Sequence, residues 1–343
     1  MIEDKRIEWI DIAKGIGIIL VVLGHCLNID TPAFHIIFMF HMPLFFILSG
    51  YVFNNKRRFR EFVYKKVQAL VIPFFGFYLI GLIVTLLILE WREGLSKEGI
   101  IKDLWLADPN AVHNSSIWFL ICLFWVQILF WIISKMREIM QIIVIVLLYA
   151  IGMVYSYYRP EFMGYNRLPL NLDVVPIVCM FFAIGYFMKE RQLVSKLFSS
   201  RTVQSVVGVF SVIGIWMIYK WNGYVNLHGL RFGNPVAYFA GGIVGSLFVI
   251  DVSGLIEKMD LFKIKEILLF YGKNSLIILG FQSLLIRLYI VVLQRWGIEL
   301  SLYRFPLKHA VLCFVLVAFI ECPLICVLWK CLHKYLNAGI RKK

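Results

Sequence analysis

Ten apolar runs dominate the chain, at about 9–27, 34–54, 67–90, 116–134, 139–157, 172–188, 202–220, 235–250, 266–293 and 309–331. Each is near the roughly 20 residues that a helix needs to cross a bilayer core. Lipid offers backbone groups no hydrogen bonds, so such runs must satisfy their own, as helices do. The expected fold is an all-α integral membrane protein: one domain over 1–343, a polytopic bundle of about ten transmembrane helices. Composition agrees, with 61% hydrophobic and 16% charged residues among 343, too little polar surface for a soluble domain. The fourth and fifth runs, separated by "SKMRE", should form a tight hairpin. The ninth is long, and Gly272 or Gly280 is the expected place for a break or bend. The segment "EWREGLSKEGIIKDLWLADPN" is either a short interfacial helix, with Leu95, Ile100, Ile101, Leu104 and Trp105 as apolar residues, or a plain loop.

The net charge of +14 invites a nucleic-acid reading, but the basic residues sit in short loops between apolar runs. That is a topology signal, and no nucleic-acid motif accompanies it. With the N-terminus inside, inner segments hold 22 Lys and Arg and outer loops 10. Both termini are therefore predicted to be cytoplasmic, in a multi-pass protein of the cell membrane. Charge interrupts the first run and no small-residue cleavage site follows, so it is not expected to be a cleaved signal. Six of the seven cysteines lie within apolar runs and Cys331 ends one. Without a CxxC pair they read as small core residues, and no metal site or permanently bound cofactor is expected.

The first run, "WIDIAKGIGIILVVLGHC", carries Asp11, Lys14 and His25. An ionised Lys or Asp near a helix centre costs about 2.5–3.5 kcal/mol on insertion scales. Asp11 and Lys14 lie near the inner end and can snorkel to the headgroups. Lys14 and His25, however, stand eleven residues apart, about three turns, which returns to nearly the same face. Asp11 lies one turn before Lys14 and can pair with it. This stripe reads as the lining of a path, because ionisable groups inside a membrane usually face a cavity. On the returning helix, "AFHIIFMFHMPLFFILSGY", His41 falls at comparable depth, so the two imidazoles can share one pocket and supply a base near neutral pH. Pro43 should loosen that helix and free carbonyls nearby; His35 is nearer the surface. Glu321 is the most deeply placed carboxylate, expected to be protonated or paired with Lys14 or a histidine. Arg287 can snorkel outward. The basic cluster "NNKRRFREFVYKK" is a topology signal, an anchor for a phosphate-rich donor, or both.

The blocks "WIDIAKGIGIILVVLGH", "FHMPLFFILSGYVF", a basic stretch leading into "VIPFF", then "SIWFLICLF" and "YGKNSLIILGFQ" occur in this order. In that order and over most of its length the chain resembles the membrane acyltransferase-3 family. The likeness is greatest to the branch of fucose 4-O-acetylase-like and intercellular-adhesin O-acyltransferases. The resemblance implies a ten-helix bundle that takes an acyl group, commonly acetyl, from cytoplasmic acyl-CoA. The group goes to a hydroxyl of a cell-surface or lipid-linked glycan. Many members carry an Arg, a ten-residue spacer and the catalytic His. Here Lys14 stands for the Arg, a point charge without the bidentate fork, and His25 matches the His. Where many relatives end the "GKNSL" block with His, this chain has Gln282, which suits positioning more than acid–base work.

On this reading acyl-CoA (acetyl-CoA) is the donor substrate, with its phosphates near Arg57, Arg58, Lys65 and Lys66. The pantetheine arm runs past Lys14 to His25, the base for transfer directly or through an acyl-enzyme step; His41 orients the acceptor or stabilises the oxyanion. Asp11 and Glu321 complete the charged set, while Ser49, Trp118, Asn274, Ser275 and Gln282 shape the tunnel. The partners are then acyl-CoA, the glycan or lipid-linked sugar acceptor, and membrane lipids. A transporter or flippase of a glycan or small anion is the alternative, although it should carry a repeat, and none is visible. A structural subunit would leave the pairing of His25 and His41 unexplained.

Overall fold

The computed structural model describes residues 7–88, 95–159, 161–259 and 262–340. Lys5, Arg6, Arg92 and residues 341–343, which enter the charge count, and residues 90–94 of the outer segment lie outside these. In chain order the longer helices are α1 (Glu8–Cys26), α2 (Pro32–Tyr51), α3 (Phe59–Leu87), α4 (Lys97–Leu106), α5 (Ser115–Ile133) and α6 (Glu138–Tyr158). They continue with α7 (Pro169–Glu190), α8 (Arg201–Trp221), α9 (Pro235–Lys258), α10 (Phe262–Lys273), α11 (Ser275–Arg295) and α12 (Leu307–Cys331). Ten of them are long and apolar enough to cross a bilayer, so the protein is a multi-pass membrane protein. Among the described residues no strand forms beyond isolated bridges at Phe162–Tyr165 and Asn226–Arg231.

The bundle is sorted by depth. In α1 and α2, 67% and 72% of the membrane window is buried by protein, against 22% in α6 and 17% in α8. The charged face of α1 is therefore surrounded by other helices, and hydrocarbon meets the peripheral ones. α1 packs on α10, α9, α2 and α11; α2 packs on α7 and α9.

Two of these contacts are backbone to backbone. A Cβ on Gly15 would overlap the Leu268 carbonyl oxygen, and one on Gly272 the Asp11 carbonyl oxygen. Likewise a Cβ on Gly50 would overlap the carbonyl of Phe182, and one on Gly185 that of Ile47. Small residues permit this approach where lipid supplies no hydrophobic drive for association. Gly185→Ala should thus cost about 1–3 kcal/mol, read as a lower melting temperature of the detergent-purified protein. A melting temperature unchanged from wild type would show that α2 and α7 can separate freely.

The long ninth run is two helices, and the break falls at Asn274, between the expected glycines. Asn274 Nδ2 donates to the Phe270 carbonyl at 2.6 Å, a side-chain competitor for the helical bond. Gly272 serves instead as the contact with α1. The helices containing Pro73 and Pro323 each widen into a π-turn just before the proline, at Val67–Val71 and Val317–Glu321. A wider turn relieves the clash between the ring and the preceding carbonyls. α2, by contrast, runs unbroken through Pro43. Of the two readings of the outer segment, the helix is the one found. Ser96 caps α4, accepting from the Gly99 N–H at 2.9 Å, and Ile101, Leu104 and Trp105 are exposed.

Candidate active site

Three cavities follow one another along α1. Taking the Lys- and Arg-rich end as the inner one, the innermost has a volume of 200 Å³ and is lined by Lys14, Ser49 and Ser275. The second, of 90 Å³, is lined by His25, His41, Ser116, Trp118, His228 and Tyr303. Val21, Met42 and Leu279 line both, forming an apolar neck between them. A third, of 30 Å³, shares His25, Ser115 and Tyr303 with the second and adds Asn110, His113 and Arg287.

The stripe on α1 supplies one polar group to each side of the neck. Lys14 Nζ lies 3.9 Å from Asp11 Oδ1, one turn back; Asp11 is buried and Lys14 about one-third exposed. His25 stands beyond the neck. His41 faces the same cavity from α2, and its Nδ1 lies 2.8 Å from the Ile37 carbonyl oxygen. A carbonyl only accepts, so Nδ1 carries the proton and a neutral His41 keeps its lone pair on Nε2. That arrangement suits accepting a hydroxyl proton, whereas stabilising an oxyanion would require a second proton on the ring. Phe38 lies against both imidazoles, with ring centroids 5.8 Å from His25 and 4.9 Å from His41. His25 Nδ1 is buried without a hydrogen-bond partner.

Gln282 does not touch the cavity; it acts one layer back. Fully buried, it donates from Nε2 to Ser116 Oγ at 2.7 Å, and Ser116 is also hydrogen-bonded to Ser283. Asn274 is likewise behind the wall, next to the lining residue Ser275.

The outer loops roof the second cavity. Trp118 stacks on His228, with centroids 4.7 Å apart at 21°. His228 Nε2 approaches Asp108 Oδ1 to 3.5 Å. Burial outweighs the pull of Asp108 and lowers the pKa of His228, so at neutral pH the contact joins a neutral ring to a carboxylate. The loop after α4 is pinned at several points. Asp103 accepts from the Asn110 and Ala111 N–H groups at 3.0 and 2.9 Å. Asn114 Nδ2 donates to the Gly280 carbonyl at 2.9 Å, and Asn171 Nδ2 to the Ala107 carbonyl at 2.9 Å.

Other expected residues lie elsewhere. Arg57 and Lys65 are exposed at the start of α3 and share Glu61, at 3.4 and 3.5 Å. Lys66 Nζ sits over the Phe62 ring at 5.3 Å and Arg58 is exposed. None of the four enters the lining of the innermost cavity. Glu321 stands outside all three cavities, with Oε2 buried and unbonded. Among the described residues no group of three or more His, Cys, Asp or Glu is placed to hold a metal ion. Ser116, His228, Asp108 and Tyr303, together with an inward Arg287, were not singled out by the sequence as site residues. Their neighbours in space are remote in the chain, and only Ser116, beside Trp118 in "SIWFL", sits in a block that points there.

The family model described as "Acyltransferase domain", acyltransferase 3, matches residues 7–328. Among curated proteins, "Nodulation protein NolL" of Sinorhizobium fredii (strain NBRC 101917 / NGR234) is 54% identical over 52 residues, 12% of this chain and 14% of that protein. "Nodulation protein NolL" of Mesorhizobium japonicum (strain LMG 29417 / CECT 9101 / MAFF 303099) is 37% identical over 76 residues, 18% of this chain and 20% of that protein. The chain thus spans at most about a fifth of the length of these curated relatives. No solved structure matches it. Because the match runs from the start of α1 into α12, and so takes in Lys14, His25 and every wall of the three cavities, the chain belongs to the acyltransferase-3 family.

Proposed function

We propose that the protein is an O-acyltransferase that moves an acyl group, most simply acetyl, from cytoplasmic acyl-CoA to a hydroxyl of a cell-surface or lipid-linked glycan. The observation that carries this reading is the neck at Val21, Met42 and Leu279, with a lysine-lined cavity on one side and a two-histidine cavity on the other. A narrow passage suits a pantetheine arm threaded from the inner side, delivering its thioester to His25. The exposed Arg57, Arg58 and Lys65, with the half-buried Lys66, would meet the donor's phosphates outside the inner mouth, with Glu61 as a competitor for Arg57 and Lys65. Lys14 would hold the arm as a point charge kept in place by Asp11.

In the transfer, the acceptor hydroxyl gives its proton to His25 as its oxygen attacks the thioester carbonyl. The C–O bond forms, the C–S bond breaks, and the proton passes to the departing thiolate. His41, with its lone pair on Nε2, orients the acceptor by taking a hydrogen bond from a second, non-reacting hydroxyl of the sugar. Ser116 already accepts from Gln282; with Ser283 as donor in their shared bond, its own O–H is available to the oxyanion. Ser116→Ala should then lower kcat by about 100-fold while changing KM for acyl-CoA little. An unchanged kcat would remove Ser116 from the mechanism.

The deciding experiment follows radiolabelled acetyl from acetyl-CoA into glycan in membranes containing the protein. Glycan movement across the membrane without acyl-CoA consumption would overturn the reading in favour of transport. Mass and NMR analysis of surface glycans, with and without the gene, would name the acyl group and the acceptor together.

A further inference from the structure

We propose that the acceptor carries an oxyanion, a carboxylate or a phosphate, which Arg287 binds in the outermost of the three cavities; this rests on the acyl-transfer reading. Arg287 lies on α11, eight residues before its outer end at Arg295, about 12 Å along the axis. A guanidinium at that depth usually snorkels outward or meets a counter-charge. Here it faces the 30 Å³ cavity together with His25, His113 and Tyr303. No carboxylate lines this cavity or the one beside it, and among the described residues no ion pair engages Arg287.

Its neighbours do not add or cancel charge. Burial, and then the charge of Arg287, lowers the pKa of His113 to about 4, so that ring is neutral at pH 7. Burial pushes Tyr303 up to about 12, which keeps its phenol proton. Arg287 is therefore the charge that the lining of this cavity presents at neutral pH. Arg287 is half-buried, and a cation at this depth in a membrane protein usually meets a counter-charge. The flat guanidinium fork matches carboxylate and phosphate oxygens two at a time. The cavity has room for little more than one or two waters, enough for the oxygens of an acidic group and too small for a sugar ring. Since His25 lines this cavity and the larger one, the anion would sit beside the reacting hydroxyl. The acceptor class is then an acidic sugar unit, or a sugar joined to lipid through phosphate.

The test uses the full chain purified in detergent, with binding followed by tryptophan fluorescence, for which Trp118 in the adjoining cavity is a reporter. Three probes are compared: a glucuronate-containing oligosaccharide, the same oligosaccharide after carboxyl reduction, and a neutral sugar on polyprenyl diphosphate. At least one anionic probe should bind about tenfold or more tighter than the reduced sugar. The preferred anion identifies the source. Arg287→Gln should erase the difference, and Arg287→Lys, which keeps the charge and loses the fork, should keep part of it and so report that the site is still folded. Equal binding of all three probes by wild type, or a preference that survives Arg287→Gln, overturns the proposal. Acetyl transfer is measured on the same samples. Arg287-dependent binding of the anion without any transfer would refute the acyl-transfer reading alone. Transfer to reduced and charged sugars with equal efficiency would refute the anion site alone.

Discussion

His25→Ala should lower acetyl transfer by about 100- to 10,000-fold, the usual worth of a positioned general base, while the protein still inserts and folds. His25 is the one side chain common to the second and third cavities that carries a basic nitrogen. No described residue other than His41 offers an imidazole to the same face of the neck except His228, which lies against Asp108 and Trp118. His41 is held by Ile37 and cannot turn to take over both roles. The loss should appear in kcat, with KM for acetyl-CoA little changed, because the donor's contacts are assigned to the inner side of the neck. Removing the ring also enlarges the cavity, so added imidazole should restore part of the rate. Full activity in the variant would take the proton-transfer role away from His25.

Val21→Trp should stop transfer almost as effectively without touching a polar group. Val21 is 3% exposed and borders both cavities, so an indole there fills the neck. A thioester held even about 1 Å short of its partner can lose about 100-fold in rate. Overpacking alone costs about 1–3 kcal/mol, so the melting temperature and a Val21→Ala control, which widens the neck and should retain activity, separate blockage from misfolding. A cysteine at Ser49, in the innermost cavity, should still react with an impermeant thiol reagent applied from the cytoplasmic side. Normal transfer through a plugged neck would mean that the acyl group takes another route.

Much of the site was readable along α1 and α2, because charge within an apolar run stands out and helical spacing tells which residues share a face. Lys14, Asp11, His25 and His41 follow from that rule. The same rule fails where a residue's role depends on what faces it. Arg287 reads as a snorkelling cation until Asn110, His113 and Tyr303 are brought around it by loops after α4 and α11. Gln282 reads as tunnel lining, yet its amide nitrogen is spent on Ser116, 166 positions away in the chain. The basic cluster at Arg57 to Lys66 reads as a dense positive patch, and Glu61 within it shares that charge only once the turn of α3 sets the side chains at helical spacing.

By itself the sequence determined the helices, their number and the polar stripe, since the free energy of placing apolar or charged residues in lipid depends on residue type and local spacing. Only the tertiary structure decided where the cavities run, which loops roof them and what surrounds Arg287. Those outcomes rest on contacts between distant segments, such as Gly272 against the Asp11 carbonyl and Asn114 on the Gly280 carbonyl. Packing in a membrane follows close fit and hydrogen bonding between helices, and neither is written in the order of residues along any one of them.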